Sequence, residues 1–151
     1  MKHFISILSA LAFLLLLNSC GTTVWQLKTD CNSNTEDLFK RISMILMQEN
    51  FLIKQNDPKI GYLQAETTPN YSFWTGMNET RYWIIIVQDN KVTAQAKVVY
   101  TQQNVFGATS GGTEVYYNDK AHSDWTWYWN VRNELEKTCG SKIIFVEKKV
   151  K

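Results

Sequence analysis

The chain has 151 residues and a formal net charge of +2, with 20% charged and 44% hydrophobic residues. This length fits one domain with a genuine core, and we expect no second domain. Because positive and negative charges nearly balance, the composition argues against nucleic acid or a strongly anionic molecule as the partner.

The first residues have the layout of a signal peptide. Lys2 gives a basic start, residues 4–17 are apolar apart from two serines, and small Ser19 precedes Cys20. The apolar run is shorter than the roughly 20 residues of a membrane-spanning helix. We therefore expect residues 1–19 to be a cleaved signal peptide.

The run Leu17-Asn18-Ser19-Cys20 resembles the lipobox of bacterial lipoproteins. The resemblance implies acyl chains on Cys20, including a palmitate-like chain on its amine, and a mature domain held at a membrane. Because Gly21 and not an acidic residue follows, it points to the periplasmic face of the outer membrane, with the inner membrane and the cell surface as alternatives. The other interpretation is an ordinary secreted protein in which Cys20 is free or paired.

Two cysteines remain beyond the predicted cleavage site, Cys31 and Cys139. Export favours a disulfide between them, and closing so large a loop is worth roughly 4 to 5 kcal/mol on the loop-entropy model. A metal site is disfavoured because His122 is the only histidine of the mature chain and no CxxC or HxxxH spacing occurs. We expect a disulfide, no metal and no cofactor.

The predicted elements begin after a short tether at residues 20–34, which includes an optional edge strand. Ser33 and Glu36 have the form of a capping box. Apolar residues at helical spacing then predict an amphipathic helix over 35–50. The single domain is expected to span residues 35–147.

Four or five strands are predicted after this helix. Segments 51–55 and 61–68 are strand-like, and 81–88 is too apolar on both faces for an open edge, which favours a central place. Asp89-Asn90 offers a two-residue hairpin turn. Residues 92–101 alternate in polarity, as a half-buried strand does.

The last third of the chain is less regular. Residues 102–118 fit a mobile loop or a second hairpin arm, and we favour the hairpin. Asp119 is the expected cap of a second helix that ends near Thr138, and a short strand over 143–146 follows. On that helix we expect one buried stripe of Trp125, Tyr128, Trp129 and Leu135. The basic residues of segment 148–151 are expected to form a solvated, frayed end.

This order predicts an α+β fold in which an antiparallel meander of four to six strands carries both helices on one face. Over residues 24–147 it resembles the helix-grip or TBP-like domains of small envelope lipoproteins such as BamC. The resemblance implies a role in outer-membrane assembly complexes, with an envelope protein as partner. Since it rests on element order and the lipobox alone, it transfers no partner-binding residue.

No motif predicts catalysis. His122, Ser123 and Asp124 are adjacent, and neighbouring side chains on a helix diverge by about 100°, so they cannot form a hydrolytic triad. The glycine pair Gly111-Gly112 lacks the lysine and the helix start of a phosphate loop. We expect a protein that is not an enzyme.

Aromatic residues are the remaining feature. We expect Trp127 to be partly exposed, beside loop aromatics that can line a groove for a peptide, glycan or apolar ligand. The candidate binding surface is Trp74, Phe106, Tyr117 and Trp127. The leading hypothesis is a non-catalytic, membrane-tethered interaction or assembly module. The alternative is a ligand-binding lipoprotein with an aromatic-lined cleft between helices and sheet.

Overall fold

A computed structural model describes residues 22–73, 76–103, 109–116 and 126–150. These residues form two helices and one open antiparallel sheet of eight strands. The helices are α1 (Thr35–Gln48) and α2 (Thr126–Cys139). The strands are β1 (Thr22–Asp30), β2 (Phe51–Asp57), β3 (Tyr62–Thr67), β4 (Asn70–Ser72), β5 (Met77–Gln88), β6 (Lys91–Gln103), β7 (Thr109–Tyr116) and β8 (Ile144–Val150). The predicted α+β class is confirmed, but the sheet has more strands than the four to six expected.

The β5–β6 hairpin is the centre of the sheet, whose strand order is β2-β3-β5-β6-β1-β8. The half of this hairpin near its turn lies between β3 and β1. The other half extends between β4 and β7. The central place predicted for 81–88 is therefore correct. β1 is not the edge strand that was expected, because β6 and β8 pair with its two sides.

The turn between β5 and β6 has the predicted two-residue form. Asp89 and Asn90 both adopt left-handed backbone angles, with φ of 50° and 60°. Two successive positive φ values are the signature of the type I′ turn, whose twist matches that of the flanking strands. The carbonyl of Asn90 also accepts a 2.7 Å hydrogen bond from the N–H of Cys31, which joins the turn to the end of β1.

The start of α1 differs from the expected capping box. Asn34 is the N-cap, and its side-chain oxygen accepts the N–H of Glu36 at 2.9 Å. The Ser33 hydroxyl instead donates to the carbonyl of Thr138 at 2.7 Å. The helix therefore begins one residue later than a Ser33 cap would require. The hydrogen bond of Ser33 joins the start of α1 to the end of α2.

One continuous core lies between the helices and one face of the sheet. Trp83 occupies its middle, paired across the strands with Ala65 on one side and Ala96 on the other. The two small neighbours leave room for the indole, which stacks on Tyr128 of α2 at 5.4 Å. The buried apolar residues of α1 belong to the same core, namely Leu38, Phe39, Ile42 and Leu46. Both helices therefore pack on this one face.

The predicted disulfide pairing is present. Cys31, at the end of β1, and Cys139, at the end of α2, lie in disulfide geometry with their Cα atoms 4.3 Å apart. Gly140 follows with φ of +67°, and its N–H bonds to the carbonyl of Glu136, so α2 ends where the glycine was expected to stop it.

The last elements settle two expectations from the sequence. β7 pairs with β6, so the hairpin favoured for 102–118 is confirmed over the described residues 109–116. β8 continues past the predicted 143–146 as far as Val150. Lys148 and Lys149 are consequently paired with β1 and do not form a frayed end.

Candidate functional site

The structure describes one of the four residues predicted as a binding surface. Trp127 is 3% exposed and lies in the core, so its expected partial exposure is wrong. Trp74, Phe106, Tyr117 and the proposed lipidation site Cys20 lie outside the described residues.

The rotation of α2 explains this error. Its buried residues are Trp127, Tyr128, Val131, Leu135 and Cys139, whereas Trp129 is only half-buried. Steps of four residues lead back from Cys139 to Trp127, which places both on one stripe of the helix. Because Cys139 faces Cys31, this stripe faces the sheet. Trp125, which the sequence analysis also expected on the buried stripe, lies outside the described residues.

Aromatic side chains fill the space between helices and sheet where the ligand cleft was expected. Trp127 meets Phe51 at 5.6 Å between ring centroids and meets Trp83 edge-on at 6.0 Å. A polar cleft of about 310 Å³ lies beyond them, lined in part by Glu49, Thr67, Glu79 and Arg81. Arg81 Nε donates to Glu79 Oε1 at 2.6 Å, and Glu49 accepts a hydrogen bond from the side-chain amide of Asn130. This cleft therefore lacks the aromatic lining that the ligand hypothesis requires.

The opposite face of the sheet is the more informative surface. We call it the open face, because neither described helix packs against it. Cross-strand pairing arranges it in three rows, Tyr62–Ile86–Thr93, Gln64–Ile84–Gln95 and Glu66–Tyr82–Lys97. Most of these side chains are half-buried by their neighbours, and Ile86 is 40% exposed. The rows thus contain two isoleucines and two tyrosines, with uncharged polar residues beside the isoleucines and one charged residue at each end of the third row.

Two charges of the open face, Glu66 and Lys97, lie at opposite ends of the third row and are paired. A third charge, exposed Lys28 of β1, lies beside Thr93 in the first row. Glu66 bonds Lys54 at 2.9 Å. At the other end of the third row, at a corner of the face, Lys97 Nζ lies 2.8 Å from Glu114 Oε1 and 5.3 Å from the ring centroid of Tyr82. Such pairs leave little unbalanced charge over the middle of the face.

Tyr116 completes the Lys97 corner. Its hydroxyl donates to Glu114 Oε2 at 2.8 Å, and the Lys97 ammonium lies 5.8 Å from its ring centroid. Hydrogen bonds from Lys97 and Tyr116 lower the pKa of Glu114. Burial, reinforced by the bond to Glu114, raises the pKa of Tyr116 to about 12. The corner is therefore a connected polar group that holds two aromatic rings in place.

Sequence reasoning missed the open face, although one signal for it was present. The run from Tyr82 to Val87 is apolar at every position, and this was interpreted as burial on both faces. In the structure Trp83 and Ile85 are fully buried, whereas Ile84 and Ile86 face outward. An apolar residue at each outward position of a central strand is the signal that points to a binding surface.

Among the described residues no group of three or more His, Cys, Asp and Glu side chains is placed to hold a metal ion. Within the same residues, neither helix has the length and apolar character needed to cross a membrane. No protein-family model, curated protein or solved structure matches the chain. The BamC-like and helix-grip resemblance stays a prediction.

Proposed function

We propose that this protein is a membrane-anchored envelope lipoprotein that acts as a non-catalytic interaction or assembly module, and that its open face binds an envelope protein. The supporting observation is the outward placement of Ile84 and Ile86 on the central strand, with Tyr62 and Tyr82 beside them. An antiparallel sheet with one solvated face normally alternates apolar-inward and polar-outward residues. These outward apolar residues add nothing to the helix-covered core and are explained by contact with a partner.

The composition of the open face also suits a protein partner. Cores of protein interfaces are depleted in charge and enriched in tyrosine and other aromatic residues. The open face has uncharged Gln64, Thr93 and Gln95 around its isoleucines, and the charges of Glu66 and Lys97 are paired. A sheet held by backbone pairing also loses little conformational entropy on binding.

The anchor is proposed from the lipobox resemblance at Cys20. β1 begins at Thr22, so only Gly21 separates the proposed lipidated residue from the sheet. Two or more acyl chains hold a protein firmly at a membrane, whereas one does not. We place the domain at the periplasmic face of the outer membrane on the same resemblance.

Photo-crosslinking in the native cells tests the open face. The residue p-benzoylphenylalanine replaces Gln95 at the centre of the face in one strain, and replaces exposed Lys40 on α1 in a control strain. We expect a defined adduct from position 95 alone. The adduct should disappear when Ile86→Lys is added and persist with Met44→Lys, a matched change at a site that is 51% exposed on α1.

Two results would contradict the proposal. Adducts that survive Ile86→Lys, or equal adducts from positions 95 and 40, would mean that the open face does not select the partner. The anchor has its own test: if Cys20→Ala yields mature-length protein that remains attached to membranes, Cys20 is not the lipidated residue.

A further inference from the structure

Antiparallel pairing brings several exposed residues to the end of the sheet at which β1 begins. Thr22 pairs with Val150, which puts Lys148 and Lys149 of β8 beside the first residues of β1. β6 runs toward the same end and β5 starts from it at Met77. The β4–β5 turn therefore lies at this end as well, since Ser72 pairs with Met77.

The apolar tip of this end consists of Tyr71, Phe73 and Met77. Their exposed fractions are 55%, 82% and 38%, and Phe73 has the highest value among the exposed large hydrophobic residues. A hairpin tip needs no apolar side chains for its own turn, which Gly76 makes with φ of +65°. Aromatic side chains of this kind are favoured at the level of lipid headgroups.

We infer that this end of the sheet is a membrane-contact surface, which inserts Tyr71, Phe73 and Met77 into the headgroup region of an anionic bilayer while Lys148 and Lys149 lie against lipid phosphates. The inference rests on the proposed anchor at Cys20 and extends it: the domain is docked on the bilayer as well as tethered to it. The anionic bilayer surface is the single partner to which it commits.

Strand lengths support a common contact plane for the tip and the anchor. Leu27, Ala94 and Ile85 lie in one cross-strand row. At about 3.3 Å per residue, Thr22 lies roughly 17 Å from this row along β1, and Met77 lies roughly 26 Å from it along β5. Two further residues of chain, which span at most about 7 Å, reach Cys20 from Thr22. A lipid on Cys20 is therefore within reach of the height at which the tip lies.

The charge of the whole chain is nearly balanced and disfavours a strongly anionic partner, but Lys148 and Lys149 place local positive charge at this end of the sheet, where an anionic bilayer attracts it. Both are exposed, and they pair with Val24 and Thr23, four and three positions after Cys20. A lysine held near such a surface strengthens attachment by about fivefold. The lysines Lys91 and Lys142 lie toward the other end of β1, separated by more than a Debye length of about 8 Å. They serve as matched controls.

Lipid photolabelling tests the tip. The full protein, purified from bacterial membranes, is reconstituted into phosphatidylcholine–phosphatidylglycerol vesicles. These contain a lipid whose diazirine lies at the first acyl carbons, next to the headgroup region, and labels are mapped by residue. We expect Tyr71, Phe73 and Met77 to carry at least about tenfold more label than Ile60, which is 66% exposed at the far end. Tyr71→Ser with Phe73→Ser should remove most label from Met77, and Ile60→Ser should not.

Acetylation rates test the lysines in the same vesicles. We expect Lys148 and Lys149 to react about fivefold more slowly on anionic than on neutral vesicles, with the difference lost at high salt, while Lys91 and Lys142 react equally on both. Equal labelling of the tip and Ile60, or equal acetylation on both vesicles, in protein whose Cys20 carries lipid, overturns the docked orientation alone. If the protein purified from membranes carries no lipid on Cys20, the proposed anchor is overturned and this inference with it.

Discussion

At the scale of single residues, the Lys97 corner consists of Lys97, Glu114 and Tyr116, whose side chains are joined to one another at the edge of the open face. Glu114 accepts hydrogen bonds from both Lys97 and Tyr116, so its charge is neutralised within the corner. Both aromatic rings that contact the Lys97 ammonium are held by the same ion pair. The protein partner proposed for this face would meet pre-positioned rings here and would not have to order them.

Tyr116 provides a test of this arrangement. Its pKa of about 12 lies above its ordinary value of 10.0 because of burial first and the Glu114 bond second. A raised pKa in the folded state stabilises the protein below pH 10, and this contribution is lost as the pH rises from 10 to about 12. Tyrosinate absorbance, taken as wild type minus Tyr116→Phe, should titrate near 12. In a Glu114→Gln background it should titrate lower but still above 10, since burial remains. Titration at the ordinary value in the wild type would contradict the observed bond.

At the scale of elements, the junction between β3 and β5 depends on one glycine. Gly61 has φ of +67°, and a Cβ there would overlap the carbonyl oxygen of Val87. The carbonyl of Gly61 also accepts the N–H of Val87 at 2.8 Å. Gly76 has a similar φ of +65°, but no described atom lies within 4 Å of its Cβ position.

The two glycines form a matched pair for mutation. We expect Gly76→Ala to cost about 1 to 2 kcal/mol, because it pays only for the left-handed backbone. Gly61→Ala should cost more than about 3 kcal/mol, since the overlap with β5 adds to the same backbone term. Urea unfolding followed by tryptophan fluorescence measures both. Equal losses would mean that the β3–β5 approach is not as close as the structure has it.

Local patterns predicted the elements that local forces determine. Spacing and a nearby cap predicted α1, and Asp89-Asn90 predicted the central hairpin turn. The short strand β4 was missed because three residues form a strand only where β5 offers a partner. The rotation of α2 was predicted wrongly although the predicted bridge of Cys139 to Cys31 determines it, since steps of four residues lead back from Cys139 to Trp127. The open face escaped prediction because which face of 81–88 is covered depends on where both helices pack.

At the scale of the whole molecule, the three surfaces have separate positions. The helices and the core occupy one face of the sheet, the open face occupies the other, and the proposed membrane-contact surface lies at one end. In the proposed docking, β1 and β5 start at the bilayer and run away from it. The open face then stands upright on the membrane, where the proposed partner can reach it. The disulfide lies at the opposite end, where β1 and α2 finish.

This bridge should control the stability of the whole domain. It joins residues 108 positions apart, and closing such a loop in the unfolded chain is worth about 4 to 5 kcal/mol on the loop-entropy model. We expect Cys31→Ala with Cys139→Ala to lower the free energy of unfolding by about this amount, and the melting temperature by roughly 10 to 20 °C, without loss of the fold. Ser33→Ala is the matched control, because it removes the neighbouring bond to Thr138 for about 1 kcal/mol and keeps the bridge. If the double variant loses no more free energy of unfolding than this control, the cysteines stabilise the domain by local packing and not by loop closure.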